Sequence, residues 1–514
     1  MTVPVKASAD AEAIDSALGG CPSLFRVPRP SSAWAGMLAW RSAQATLWPF
    51  PLGDNRTMTG PSKRSAIGKS AAIGEKSAVP QTCNVALLGF GTVGSSVARI
   101  LCERPNTHLR LTHVLNRNVA RKKVDWLPSS VQWTENIDDV LSSNADIVVE
   151  VMGGLQPTED WIRRSLTSGK SVVTANKQLI ARSGPELISL ARQMNQQIHF
   201  GASVAGGVPV ISGLHDGLGG DELFKIRGIL NGTCNYILSQ IEANGIPFAT
   251  ALREAQKLGF AEADPTEDID GLDARAKLAI LARVGLHCNV RPESIVARSI
   301  SAIDSVDFEY ANQLGSTIRQ ISWAELKHEL KTELKAEAKG KANQLFAAVQ
   351  PALVELASPL ARVEGSQNLV VATGKYGGET VFGGHGAGGH PTAVAVVSDI
   401  LAIARSQHAT IATTTSNAGQ PAETTPTVTA DFTAKHYLRF LVKDRPGIIA
   451  SLATILSQSG INIDSVLQKP GCPKSHLPFL ITLEECKASL VEQALQQINS
   501  LDFLVQPCLH LPIL

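Results

Sequence analysis

The chain has almost no net charge: 47 Lys and Arg against 46 Asp and Glu leave +1 at pH 7 over 514 residues. Nucleic acid or a membrane surface would ask for a clustered basic excess, so neither is expected as a partner. No apolar run reaches the roughly 18 to 20 residues needed to span a bilayer. The first residues also lack a basic stretch followed by an apolar core and a cleavage site, so no secretion signal is expected. The eight cysteines, Cys21, Cys83, Cys102, Cys234, Cys288, Cys472, Cys486 and Cys508, are scattered without a C-x-x-C pair. That argues against a zinc site or a disulfide framework and fits a reducing compartment.

What is present is enough apolar residue, 44% against 18% charged, to bury sizeable cores. The length suggests about three domains. Residues 1–79 are rich in Ala, Ser, Gly and Pro without a sustained period and read as a disordered or irregular extension. A transit peptide, or a start at Met58, stays open there, so the expected cytoplasmic location leaves a plastid as the alternative. From Cys83 short apolar runs ("NVALLG", "LRLTHVL", "ADIVVEV", "KSVVTA", "QIHFGAS") alternate with helical periods, which predicts α/β structure with a parallel sheet over 80–205. Residues 206–408 mix longer helices with strands and read as a substrate domain. Residues 409–430, rich in Thr, Ala and Pro, read as a linker to a third domain over 431–514. The Lys/Glu run "ELKHELKTELKAEAKGK" reads as a solvated helix face.

"NVALLGFGTVGSSVARIL" is a strand, then Gly89, Gly91 and Gly94 in G-x-G-x-x-G spacing, then a helix. Gly89 permits the tight turn, Gly91 lets backbone approach a pyrophosphate, Gly94 lets helix and strand pack, and the helix N-terminus supplies N–H donors. A ribose-binding acid is expected about 20 residues further on. Asn116 and Arg117 stand there instead. An arginine suits a 2′-phosphate, which favours NADP and leaves NAD as an alternative. Lys177, just past "KSVVTA", falls on the carboxyl edge of the sheet, and "GASVAGGVPVI" is a Gly-rich segment whose carbonyls could hold a cation or a cofactor edge.

"FAEADPTEDIDGLDARAK" packs Glu262, Asp264, Glu267, Asp268, Asp270 and Asp273 in front of Lys277. Beyond Lys277 the residues at three, four and seven positions are Ile280, Leu281 and Val284, so the lysine lies on the apolar stripe of a helix, with Asp273 one turn before it. Burial lowers a lysine's pKa and carboxylates raise it, which can set a group for proton transfer. The alternative is a plain helical ion pair.

Taken in order, "GFGTVG", "VVTANK", "ASVAGGVPVI", "LNGTCNYIL", "AQKLGFAEADPTEDIDGLDARAKLAIL" and "GGHGAGGHPTAVAVVSDIL" resemble the homoserine dehydrogenases. The resemblance implies a Rossmann-type nucleotide-binding domain, an α+β catalytic and dimerisation domain from which the chain returns to the first near 384–405, and reversible NAD(P)H reduction of aspartate 4-semialdehyde. It implies Lys277 as general acid/base, Lys177 at the junction of cofactor and substrate, and Glu262, Asp268 and Asp273 around the substrate amino group. Phe90, Thr92 and Val93 with the three glycines, Gly153 and Gly386 would line the cofactor. A sodium ion would rest on the carbonyls of Gly201, Val204, Gly206 and Val208, although the family usually has Glu at position 201. "HYLRFLVKDRPGIIASLATILSQSGINIDSVLQKP" resembles an ACT domain, a βαββαβ module, implying feedback by an amino acid, with threonine expected, in a homodimer or homotetramer. No kinase domain is expected ahead of the dehydrogenase. The rival readings are another two-domain NAD(P) oxidoreductase, such as a hydroxy-acid or amino-acid dehydrogenase, the former argued against by the absence of a His-Asp relay near a substrate arginine, and a dinucleotide-sensing regulator without turnover.

Overall fold

The computed structural model describes residues 82–104, 108–327, 344–408 and 423–514. Its first strands are β1 (Cys83–Leu88), β2 (Leu109–Leu115), β3 (Gln132–Thr134), β4 (Ile147–Glu150), β5 (Ser171–Thr174) and β6 (Ile198–His199). They form a parallel sheet in the order β3-β2-β1-β4-β5-β6. Strand order reverses between β1 and β4, the point at which such sheets bind ligands beyond their carboxyl ends. Val85, Leu87, Ala86 and Leu88 are all fully buried, because helices cover both faces. β3 ("QWT") carries no apolar run and was not expected from the pattern.

Far down the chain the helix Gly389–His408 lays Ala393, Val396, Val397, Ile400 and Ile403 into the same core as Val85, Leu87 and Val97. The nucleotide-type unit is therefore closed by a late segment.

The remaining strands are β7 (Leu223–Ile229), β8 (Val296–Ala297), β9 (Ser316–Lys327), β10 (Gln344–Glu355), β11 (Gln367–Gly374), β12 (Gly378–His385), β13 (Thr427–Thr429), β14 (Thr433–Val442), β15 (Ile463–Gln468), β16 (Leu477–Lys487) and β17 (Leu509–Ile513). They form one sheet in the order β12-β11-β7-β9-β10-β17-β14-β16-β15, with β8 and β13 also paired to β10. The helix Leu272–Leu286 packs Leu278, Ile280 and Leu281 against Ile226, Ala324 and Val349 of this sheet.

β14 to β17 make a βαββαβ module whose helices, Ile448–Gln458 and Ala488–Ile498, cover Leu438, Phe440 and Val442. The strand period of two turns Tyr437 to the other face, where it packs with Ile303, Phe308 and Tyr310. There Arg439 and Asp307 form an ion pair at 2.8 Å with almost no exposure, and Tyr437 donates to Asp307 at 2.7 Å. The last residues of the expected linker lie on the sheet: β13 pairs with β10, and Thr424 bridges to Cys288. The expected extension, most of the linker and most of the Lys/Glu run lie outside the described residues; Glu325 to Lys327 of that run are in β9.

Candidate active site

β1 ends at Gly89, whose φ of +99° suits glycine alone, and the chain enters the helix Thr92–Glu103 through Gly91. A Cβ on Gly94 would stand 2.1 Å from the Gly89 carbonyl oxygen, so helix and strand can meet only through glycine. The helix has no side-chain cap, which leaves its first N–H groups for an anion, and nothing lies within 4 Å of a Cβ built on Gly91. Phe90 is buried under the turn against Trp133 and Trp126, and its N–H donates to Asn116 Oδ1 at 3.3 Å. Thr92 and Val93 open the helix. Arg117 is exposed just beyond β2.

At the ends of β4 and β5 lies a network absent from the sequence reading. Glu150, fully buried, accepts from the N–H groups of Met152 (2.7 Å) and Gly153 (2.9 Å) and from Thr174 Oγ1 (2.5 Å). Burial pushes its carboxyl up, opposed by those three bonds. Asn176 Nδ2 donates to the Gly154 carbonyl at 2.6 Å, while its Oδ1 accepts from the Leu179 N–H and caps the helix Lys177–Gln193. Gly153 and Lys177 are thus fixed by one set of hydrogen bonds.

Lys177 reaches from the edge of the parallel sheet to Asp273 Oδ1 at 2.8 Å, and Lys277 donates to Asp273 Oδ2 at 2.7 Å and to the Leu230 carbonyl at 2.8 Å. Asn231 Nδ2 donates both to Asp273 (2.9 Å) and to Asp268 (2.6 Å). Asn231 is itself fixed as the cap of the helix Gly232–Asn244. Burial opposes the charge on Asp273, but the Lys277 and Lys177 ammoniums outweigh it and hold the carboxyl well below its ordinary range. Burial likewise opposes the charge on Lys177, and Asp273, Asp268 and Glu267 together raise its pKa. The structure therefore gathers Lys177, Asp268, Asp273 and Lys277, and adds Asn231. Glu262 stands exposed on the preceding loop, and among the described residues no hydrogen bond joins its side chain to the cluster.

The 201–208 segment is a 3-10 turn, Gly201–Ser203, followed by a reversal through Ala205 and Gly206, both at positive φ. Val204, Gly206 and Val208 are buried. A Cβ on Gly206 would fall 2.5 Å from the Gly386 carbonyl oxygen, and one on Gly389 would fall 2.8 Å from Ser96 Oγ, so the "GHGAGG" loop passes between this segment and the nucleotide-type helix. At Gly201 a Cβ would stand 2.9 Å from Asp399 Oδ1, and the Gly201 N–H donates to Asp399 Oδ2 at 2.7 Å. Burial pushes the Asp399 carboxyl up to about 7, opposed by that N–H.

A glycine turn at the switch point of a 3-2-1-4-5-6 parallel sheet, facing an ammonium–carboxylate cluster from a second unit, defines a nicotinamide-dependent oxidoreductase, here joined to a βαββαβ module. Family models agree: residues 89–201 match the homoserine dehydrogenase NAD-binding domain, 209–401 homoserine dehydrogenase, and 436–503 the ACT domain. The chain belongs to the homoserine dehydrogenase family. The homoserine dehydrogenase of Bacillus subtilis is 35% identical over 81% of this chain and 95% of its own, and that of Corynebacterium glutamicum 34% identical over 80% and 89%. A crystal structure of the Thiobacillus denitrificans homoserine dehydrogenase superposes with a TM-score of 0.75 at 31% identity, covering 84% of this chain and 98% of that one. A hyperthermophilic archaeal homoserine dehydrogenase solved with NADPH gives 0.52 at 27% identity over 63% and 98%. No helix among the described residues is long and apolar enough to cross a membrane.

Proposed function

We propose that the chain reduces L-aspartate 4-semialdehyde to L-homoserine with NADPH, using Lys277 as the acid. The observation that carries the assignment of roles is the pair of lysines converging on Asp273. A reduced nicotinamide at the glycine turn supplies the hydride to the aldehyde carbon. Lys277 gives its proton to the aldehyde oxygen as negative charge develops there, and in the reverse direction takes it from the alcohol. Asp273 and the Leu230 carbonyl fix the position of its Nζ. Lys177, on the edge of the nucleotide-type sheet, stands beside the carbonyl and steadies the developing charge. Asp268, with Glu262 closing from its loop, takes the substrate ammonium, and Asn231 keeps Asp268 and Asp273 in register.

The cradle for the cofactor is the turn Gly89 to Gly94 with Phe90, Thr92 and Val93, together with Gly153 and Gly386. Its fit rests on the open space at Gly91 and the uncapped helix. Arg117, exposed where a ribose-binding acid would stand, favours NADP by pairing with the 2′-phosphate. A sodium ion suits the oxygen-only donors of Gly201, Val204, Gly206 and Val208. Asp399, which accepts from the Gly201 N–H, is an acidic side chain at that segment where the family's usual Glu is missing, and burial works against its charge. The ACT domain makes the enzyme responsive to an amino acid, for which threonine is the reading, and the assembly is a homodimer or homotetramer in the cytoplasm.

The test is the loss of NADPH absorbance on adding aspartate 4-semialdehyde, with homoserine identified as product. Binding of NADPH without turnover would leave a dinucleotide sensor instead.

A further inference from the structure

The two helices that deliver the active-site lysines are tied together a second time, by a guanidinium that no step of the reduction uses. The helix Leu272–Leu286 carries Asp273 and Lys277 in its first turns and Arg283 in its last. The helix Lys177–Gln193 begins at Lys177 and sets Ile180 and Ala181 into the same core as Leu278, Ala279 and Ala282. Arg283 is 4% exposed. Its Nη1 donates to the Ile180 carbonyl at 2.9 Å and its Nη2 to Asn289 Oδ1 at 3.2 Å.

The helix of Lys177 is shaped to receive it. A Cβ on Gly184 would stand 2.5 Å from Arg283 Nη1, so glycine leaves the guanidinium its place. Pro185 follows inside the same helix and has no N–H for the carbonyl of Ala181, beside the one that Arg283 takes.

The arrangement is a weak source of stability. Among the described residues no carboxylate lies within ion-pairing distance of Arg283, and its Nε has no hydrogen-bond partner. Burial works against its charge, and Glu423 and Glu186 favour that charge only from further off. An apolar side chain of similar size would fill the space without that desolvation cost. What a planar guanidinium adds is direction, since its donors are fixed in one plane.

We propose that Arg283 is a positioning residue, which holds the helix of Lys177 in register with the helix of Asp273 and Lys277. This rests on the roles given above to the two lysines. Lys177 meets Asp273 at 2.8 Å, and about 15 Å of helix separates Asp273 from Arg283. One tie would let the helices pivot; two ties at that separation fix both height and angle. The hydride arrives from the cradle on the nucleotide-type unit and the proton from Lys277, so the register of these helices sets the distance between the two donors. A misplacement of about 1 Å can cost about 10²-fold in rate.

The experiment measures NADPH oxidation with aspartate 4-semialdehyde, NADPH dissociation and denaturant unfolding for Arg283→Met, Arg283→Lys, Gly184→Ala and the double variant Gly184→Ala/Arg283→Met. Arg283→Met should lower kcat by about 10- to 100-fold, with NADPH affinity within about threefold of the parent and stability equal or higher. Arg283→Lys, which keeps one donor for the Ile180 carbonyl, should recover part of the turnover. Gly184→Ala displaces the flexible end of an arginine rather than backbone, so it should fold and lose turnover as Arg283→Met does. The double variant should then be no worse than Arg283→Met alone, because its new methyl meets no guanidinium. Turnover at the parental level in Arg283→Met would overturn the proposal, as would losses that multiply in the double variant. A loss of turnover that tracks a loss of stability would make Arg283 a structural prop and overturn it equally. A parent that forms homoserine while all four variants match it would sink the role of Arg283 alone; a parent that binds NADPH and forms no homoserine would sink the dehydrogenase reading and this role with it.

Discussion

Replacing Lys277 separates a catalytic from a structural role. The side chain is 13% exposed and its Nζ donates to Asp273 and Leu230, so this is not the surface i,i+4 pair worth a few tenths of a kcal/mol. Breaking a buried pair outright costs about 3 to 5 kcal/mol. Here Asp273 keeps Lys177 and Asn231, so Lys277→Ala should cost the lower figure of one charge-assisted bond, about 1.5 to 3 kcal/mol. Denaturant unfolding measures that term. Turnover measures the other: loss of a general acid should lower kcat by about 10²- to 10⁴-fold, while NADPH affinity, held at the glycine turn, changes little. At 1.36 kcal/mol per decade this is about 2.7 to 5.4 kcal/mol of barrier. Lys277→Arg sharpens the contrast, since guanidinium keeps the ion pair but does not surrender a proton. A structural role predicts that Arg restores turnover; an acid predicts that it restores stability alone. A kcat within about threefold of the parent in Lys277→Ala, or full rescue by Arg, would refute the assignment.

Gly94→Ala places a methyl 2.1 Å from the Gly89 carbonyl and must push the helix Thr92–Glu103 off its strand, so NADPH dissociation constants should rise more than about tenfold; equal affinity would show that the turn is not the cradle. Arg117→Ala should weaken NADPH by about 1.5 to 3 kcal/mol and NADH hardly at all, and equal losses would remove the argument for NADP. Asp307→Ala strands the buried Arg439 charge and should cost about 3 to 5 kcal/mol in denaturant unfolding, with less than about 1 kcal/mol contradicting the view that this pair joins the two units. For pH, Asp273 is depressed in the fold, so its stabilisation is complete above about pH 4 and lost as pH falls. Lys177 is raised, so its share is complete below about pH 10 and lost on the alkaline side. Asp273→Asn should therefore flatten the acid limb of stability against pH, and an unchanged limb would show that the carboxylate is not held by its two lysines.

The parts of the fold readable in the sequence were those with a local physical signature. A strand buried on both faces is a short apolar run, which is why β1, β2, β4 and β5 stood out, whereas β3 is a three-residue edge strand of QWT with no run to see. The glycine turn was legible because each of its glycines answers a separate local demand. β13 was not: Thr427–Thr429 pairs with β10, and only the partner makes it a strand, since its composition is that of a linker. The joining of the βαββαβ module to the catalytic sheet was equally hidden, because the pairing of Leu353 with Ile513 links residues far apart in the chain.

The site follows the same rule. Helical phase placed Lys277 inward with Asp273 one turn away, and the structure has both there. The scale of that interaction was not readable, because it depends on Lys177, nearly a hundred residues earlier, arriving at the other carboxylate oxygen. Once the second ammonium is present, the i,i+4 pair becomes one arm of a triad in which a buried carboxylate is held by two cations, and this is what turns a weak local contact into one that fixes the Lys277 ammonium in place. Glu150 and Asn231 show the converse. Both occupy positions with an ordinary local explanation, a strand end and a helix cap, and only the groups that converge on them mark them as part of the site. Asn231 did carry a readable cue, since an asparagine directly before a helix predicts a cap. Its spare Nδ2 then has to donate somewhere, and here the acceptors are Asp268 and Asp273.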